Sequence, residues 1–316
     1  MSRKVQIAVL LVAALGLTLI IAAMLGAEKV SLFAMTEQQR SILFDIRLPR
    51  VLLGACVGAS LAVAGAGLQS LLRNPLAEPY LLGVSNGAAL GTLIAFVVFQ
   101  QFEFSRPVLA FAGAALASVV VYKLARSRAG MNVERLVLSG VIVTTFLSSV
   151  IVMLTVLLDA ARLRSFTFWL LGDLSQSTMS GVYLSLAAAV IGTIVIASQG
   201  RALNLMMIGE RDALDFGVEV SRVRLLVFGA ASLVVGAAVA ASGSVGYVGL
   251  IVPHLIRMSV GSDNRLVVPF SAIAGAIFVV LADTIARTAI APRELPVGAV
   301  TALVGAPLFI YLLRRN

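Results

Sequence analysis

Few side chains in this sequence could do covalent chemistry, and those few stand apart. The lone histidine, His254, follows a proline in VGLIVPHLIR. Metal ligation or general-base work would need imidazole, thiol or carboxylate neighbours at ligand spacing, and it has none. The single cysteine, Cys56, lies in the apolar run GACVGASLAVAGAG (54–67) and has no intrachain disulfide partner. It reads as a small buried side chain. Glycines gather in RNPLAEPYLLGVSNGAALG (73–91), but they lack GxGxxG spacing and a strand–turn–helix frame, so no dinucleotide cradle follows. The sequence contains no GxxxxGK[ST] loop, no GxSxG elbow and no HExxH pair. It is not read as an enzyme, and ATP hydrolysis is not expected of it. What remains is charge. Asp283 and Arg287 in ADTIAR stand one helical turn apart and suit an i,i+4 pair. A carboxyl at membrane depth is otherwise a candidate proton site. The structural pair at the outer membrane edge is the favoured reading.

These scattered groups must be held by a chain that is 60% hydrophobic and 12% charged, with a mean hydropathy of +1.03. Soluble domains carry about 25% charge. A water-facing surface cannot be built from this composition, whereas lipid can solvate it. Spans of about 20 apolar residues are helices in a bilayer. Ten candidates follow, at 7–27, 50–72, 80–99, 107–124, 136–158, 181–198, 224–242, 246–258, 266–286 and 297–313. The expected fold class is all-α, a polytopic membrane protein with ten transmembrane helices in one domain over residues 1–316. The first stretch follows Arg3 and Lys4. It is long for a signal-peptide core and lacks a clear small-x-small cleavage site, so it is read as a span. The eighth is short and is expected to be bent or partly re-entrant. Gly54, Gly58 and their small neighbours would let helix faces approach closely.

An inner N-terminus places both termini in the cytoplasm. It also leaves most of the 24 Lys and Arg on the inner side, while the 15 Asp and Glu divide almost evenly. This positive-inside bias explains the net charge of +9 without nucleic acid. The stretch 73–91 then falls on the inner side between spans two and three. Pro75 and Pro79 end helices there, and Gly83 and Gly87 allow a tight return. A second inner segment, NLMMIGERDALDFGVEVSRVR (204–224), alternates apolar and charged residues and is divided by Gly209 and Gly217. It suits one or two short helices outside the bilayer, either a docking surface or a solvated loop. In ARLRSFTFWLLGDLSQS (161–177), Trp169 fits an interfacial anchor on a short outer helix.

Four stretches, in matching order and spacing, closely resemble the permease family of binding-protein-dependent ATP-driven importers for ferric siderophores, haem and vitamin B12. They are 73–91, GERDALDFGVEVSRVR (209–224), GSVGYVGLIVPHLIR (243–257) and ADTIARTAIAPRELPVGAVTALVGAPLF (282–309). The first is nearest in wording to the vitamin B12 members. The resemblance covers nearly the whole chain. It implies a type II ABC importer permease fold of ten transmembrane helices, in the bacterial inner (plasma) membrane. Two permease subunits, two copies of this chain as a homodimer or this chain with a similar permease, would pair around a central path. Two ATP-binding cassette subunits would carry ATP and Mg, and one extracytoplasmic or periplasmic substrate-binding protein would deliver the substrate. The chain itself would hold no cofactor and no metal.

The resemblance also implies site residues. A coupling segment at 204–217 would dock the ATPase through Leu205, Met206, Gly209, Glu210, Arg211, Leu214, Phe216 and Gly217. Arg47 and Arg50 of RLPR, with Arg287, would receive carboxylates of the binding protein, a role that suits the planar guanidinium fork. Leu82, Val84 and Ser85, with Thr144 and Thr145 of LSGVIVTTFLSS (138–149), would form a translocation gate. The substrate would be vitamin B12, a ferric siderophore or haem, with molybdate as a smaller alternative. An ion-coupled secondary transporter is the rival class, and the scarcity of intramembrane acids counts against it.

Overall fold

The computed structural model describes residues 3–26, 35–99, 105–127 and 130–315. Helix α1 (Arg3–Met24) is followed by α2 (Glu37–Ser41), which opens on a Thr36/Gln39 capping box. A π-helical stretch, Ile42–Arg47, joins α2 to α3 (Leu48–Leu71) without a break. The cause is Pro49, which has no N–H and whose ring would press on the carbonyl of Asp45 in a regular helix. Widening the turn before it relieves that clash and keeps the helix running.

The remaining helices are α4 (Val84–Val98), α5 (Ser105–Ala125), α6 (Val133–Thr155), α7 (Ala160–Leu170) and α8 (Met179–Ser198). Then come α9 (Gly200–Ile208), α10 (Glu210–Asp215), α11 (Val220–Ser242), α12 (Val248–Val260), α13 (Asn264–Thr288) and α14 (Val297–Arg315). Among the described residues the only strands are β1 (Arg126–Ser127) and β2 (Gly130–Met131), a two-stranded hairpin between α5 and α6. The chain is an all-α, multi-pass membrane protein. Among the described residues seven helices are long and apolar enough to cross a bilayer, and α4, α12 and α14 are shorter apolar helices. Together they account for the ten spans read from hydropathy. The first helix stops at Met24, and residue 27 lies outside the described residues. The second extends back to Glu37.

Helix α3 is the hub, with 83% of its apolar window buried, against 11% for α1 and 28% for both α6 and α8. Small residues make that position possible. A Cβ on Gly58 would strike the Gly275 carbonyl of α13, and one on Gly65 would strike Gly249 of α12. Gly87 and Gly113 meet in the same way between α4 and α5. Lipid tails are as apolar as leucine, so close backbone approach and dispersion hold such helices together. Cys56 is buried in this hub.

The eighth span is short because the chain unwinds over residues 243–247, where Gly243 (φ 68°) and Tyr247 (φ 69°) both take positive φ. Trp169 has packing partners that the anchor reading did not foresee. It is half-buried on α7 and stacks on Phe166 at 6.3 Å, and Phe166 meets Phe96 of α4 edge-on at 6.2 Å. The ring packs α7 onto α4.

Candidate functional site

Three groups of residues stand out: a cavity between α4 and α6, the short helices α9 and α10, and a cluster of arginines around Asp283. The first is a cavity of about 390 Å³ lined by Tyr80, Ser85, Asn86, Val141, Thr144, Thr145 and Ser244. Its walls come from the start of α4, from α6 and from the unwound link before α12. The turn that begins at Arg73 builds it. The Asn74 side chain accepts from the Leu76 N–H at 2.9 Å, Pro79–Leu82 form one 3-10 turn, and Gly83 (φ 75°) delivers the chain into α4. Two side chains of this turn hold the unwound link. The Glu78 carboxylate accepts from the Tyr247 N–H at 2.8 Å. The Tyr80 hydroxyl donates to the Val245 carbonyl and accepts from the Val245 N–H, both at 2.9 Å. The two Pro/Gly-rich motifs thus stitch one broken helix to another. Burial pushes the Glu78 carboxyl above the usual range, and the Tyr247 N–H partly offsets this.

The expected gate residues divide between cavity and core. Ser85 faces Ser244 at 3.3 Å, Oγ to Oγ, and Thr144 and Thr145 stand opposite on α6. The Thr145 hydroxyl bonds its own Val141 carbonyl at 2.9 Å, and the buried Thr144 hydroxyl has no hydrogen-bond partner among the described residues. Leu82 and Val84, by contrast, are buried in the main apolar core and do not line the cavity. The turn that carries them points them the other way. Sequence reading missed Asn86, whose amide donates to the Thr144 carbonyl (2.9 Å) and to the Ser148 hydroxyl (2.7 Å). It also missed Tyr80, Val141 and Ser244. Tyr80, Asn86 and Ser244 lie inside motifs singled out above, but only the fold shows which residues face inward. The lining is hydroxyl, amide and aliphatic with one phenol ring, Tyr80, and holds no carboxylate and no cation.

The second group lies on α9 and α10, which carry the segment expected to couple to an ATPase. Gly209, in extended backbone, separates the two helices, and a side chain there would strike the Asp212 carboxylate. Gly217 (φ 77°) closes α10 in a Schellman motif, with the Val218 N–H on the Ala213 carbonyl and the Gly217 N–H on Leu214, both at 2.9 Å. The result is an apolar knob made of Ile208 (75% exposed), Leu214 (54%) and Phe216 (73%), with exposed Arg211 beside it. The coupling residues expected from sequence do not all face outward. Met206 is buried, Leu205 is half-buried, and Glu210 turns inward to Arg224. Ile208, left out of the expected set, belongs to the knob. The pattern of α9 repeats every three to four residues, so Leu203 and Met206 share the inner face and 208 falls outside. Asn204 seats α9 by donating to Asp263 (2.7 Å) and accepting from the Asn264 N–H (2.8 Å). Arg265 and then Asn204 hold the Asp263 carboxyl well below the usual carboxylate range.

The three expected docking arginines do come together, but they are buried. Arg47, Arg50 and Arg287 are 5%, 7% and 6% exposed. Arg50 grips Asp283 through Nε (3.0 Å) and Nη2 (2.9 Å), and it reaches Glu294 at 2.8 Å. Arg287 stands 3.5 Å from Asp283, the i,i+4 pair read from sequence. It also donates to the Ala22 carbonyl, while Arg47 donates to Met24 (2.9 Å) and Ala23 (3.4 Å). These are terminal carbonyls of α1 that lack intrahelical partners. Guanidinium donors removed from water need acceptors, and the helix end supplies them.

His254 packs edge-on to Phe309 at 6.5 Å, and its Nε2 has no partner among the described residues. Among those residues no group of three His, Cys, Asp or Glu is placed to hold a metal.

Comparison with known proteins agrees with this architecture. The FecCD transport family matches residues 8–315. The chain is 44% identical to the cobalamin import system permease protein BtuC of Halobacterium salinarum, over 89% of this chain and 76% of that protein. It is 40% identical to the hemin transport system permease protein HmuU of Yersinia pestis, over 87% of this chain and 84% of that one. A solved structure described as an inward-facing conformation of a metal-chelate type ABC transporter superposes with a TM-score of 0.88 at 32% identity, covering 97% of this chain and 98% of the other.

Proposed function

Because this chain belongs to the FecCD transport family, we propose that it is the membrane permease of an ATP-driven importer for a bulky metal chelate such as vitamin B12, haem or a ferric siderophore. The observation that carries this reading is the exposed Ile208–Leu214–Phe216 knob on two short helices outside the spans. Leaving such a cluster in water is unfavourable by about 1.5–3 kcal/mol for each large side chain that could be buried. Its occupant is a cleft in an ATPase subunit.

The proposed cycle needs no covalent chemistry from this chain. Two copies pair around the path, so that each contributes one half-cavity. A binding protein delivers the chelate at the outer end. There its carboxylates replace Glu294 and the α1 carbonyls as partners of Arg50, Arg47 and Arg287. ATP and Mg act on two separate cassette subunits. Their closure moves the knobs, and the helices attached to them open the path inward. Both termini lie on the inner side of the plasma membrane, as the positive-inside bias supports.

The test is Phe216→Asp. The side chain is exposed, so the permease should fold, and surface changes of this kind usually stay within about 0.5 kcal/mol. A charge in an apolar cleft should weaken ATPase association about 100-fold, the equivalent of about 3 kcal/mol. Co-purification with the ATPase measures this, together with ATP-dependent uptake of cobalamin, haem and a ferric siderophore in liposomes. Full association and uptake by the variant would sink the coupling assignment. Wild-type uptake without ATP would sink the importer reading.

A further inference from the structure

One buried arginine touches elements that lie far apart along the chain. Arg224, at the start of α11, is 8% exposed. Its two terminal nitrogens grip Glu210, Nη2 to Oε2 at 2.7 Å and Nη1 to Oε1 at 3.1 Å. The same Nη1 donates to the Met131 carbonyl at 3.0 Å. Glu210 is the first residue of α10 and thus part of the base of the knob. Met131 closes the β1–β2 hairpin, and the next residue, Asn132, caps α6 by accepting from the Arg135 N–H at 2.9 Å. Arg73, just after α3, lies 4.0 Å from the same carboxylate. One guanidinium therefore joins the coupling segment to the foot of the helix that carries Thr144 and Thr145.

We infer that Arg224 is a positioning residue that transmits displacement of the α9–α10 knob to α6, and through α6 to the cavity wall. This rests on the coupling role proposed above. The geometry suits transmission. A planar fork fixes both partners at set angles, whereas a lysine ammonium holds them loosely. The grip is buried on the Arg224 side, so water does not readily replace either partner. Two residues after Met131 the path enters α6, and from Val133 to Thr145 it is one proline-free helix, about 18 Å long at 1.5 Å per residue. Such a helix carries a push at its foot as a rod. Glu210 thus acts on the permease side of the coupling segment, and the exposed apolar residues act on the ATPase side.

The experiment uses the whole transporter, permease with its ATPase and binding protein, in liposomes. ATP hydrolysis and substrate uptake are measured in the same vesicles. A nitroxide label on Ile142→Cys, exposed on α6 and outside the cavity lining, reports movement of that helix. Arg224→Lys keeps the charge but not the fork. We expect it to bind the ATPase and hydrolyse ATP like the parent, while uptake per ATP falls about tenfold, within the usual range for coupling between two sites. The ATP-driven change at the label should vanish. Arg73→Gln, which approaches the same carboxylate but does not bond Met131, should keep the parental ratio. An unchanged ratio in Arg224→Lys overturns the inference, as does an equal loss in Arg73→Gln. Loss of ATPase association in Arg224→Lys overturns it too, because Arg224 would then merely shape the knob. Should that variant fail to fold, Asn132→Ala loosens the joint between hairpin and α6 without touching Arg224, and the same uncoupling is expected. A parent complex whose uptake ignores ATP would refute the importer reading instead of this link.

Discussion

Asp283 faces two arginines, at 2.9 Å from Arg50 and 3.5 Å from Arg287, and is 2% exposed. Glu294 also meets Arg50, but its side chain is 45% exposed. The two carboxylates should therefore differ in worth. Asp283→Asn leaves two buried guanidinium groups undercompensated, which costs about 3–5 kcal/mol. Glu294→Gln breaks a half-solvated pair worth about 1 kcal/mol or less. Thermal unfolding in detergent should show a large drop for the first and little change for the second. Equal drops would refute the reading. The Asp283–Arg287 pair was legible because i,i+4 spacing is local. The stronger Arg50–Asp283 pair spans 233 residues, and no pattern along the chain announces it.

At the scale of elements, the central helix crossing depends on two glycines. The notional Cβ atoms of Gly58 and Gly275 each strike the carbonyl of the other helix. Gly275→Val must push α13 off α3 over most of their contact. Overpacking of this kind costs about 1–3 kcal/mol or more, and no flexible side chain can yield here. We expect strongly reduced yield of folded protein, read by size-exclusion chromatography in detergent. Gly229→Val, where a Cβ meets nothing within 4 Å, should be tolerated. Equal behaviour of the two would refute the close-approach argument. Hydropathy made the apolar helices readable, seven of them long enough to cross a bilayer, and the shortness of the eighth stretch was visible as a deficit of apolar length. Which glycines are contacts was not, because Gly229 and Gly275 look alike in sequence.

At the scale of the whole molecule, the cavity is bounded by one copy on several sides, and exposed Thr145 and Val141 stand on its open side. In a symmetric pair the α6 helices of two copies would face each other there. A single Thr145→Cys substitution should then give an oxidant-dependent cross-linked dimer of twice 33.0 kDa, because Cys56 is buried away from this surface. Labelling of the introduced thiol by a lipid-soluble reagent without cross-linking would place α6 against lipid instead. Local properties came from the sequence itself: apolar length, charge bias, helix-ending prolines and glycines, and the motif order that marks the family. Lipid demands an apolar surface and satisfied backbone, and both are written residue by residue. The orientation of the functional side chains was settled by tertiary structure. Glu210 turned to Arg224, Arg47 and Arg287 turned to α1, Arg50 turned to Asp283, and Leu82 and Val84 turned into the core. Each of those outcomes depends on which acceptor or cavity a distant helix presents, and burial makes any other arrangement costly.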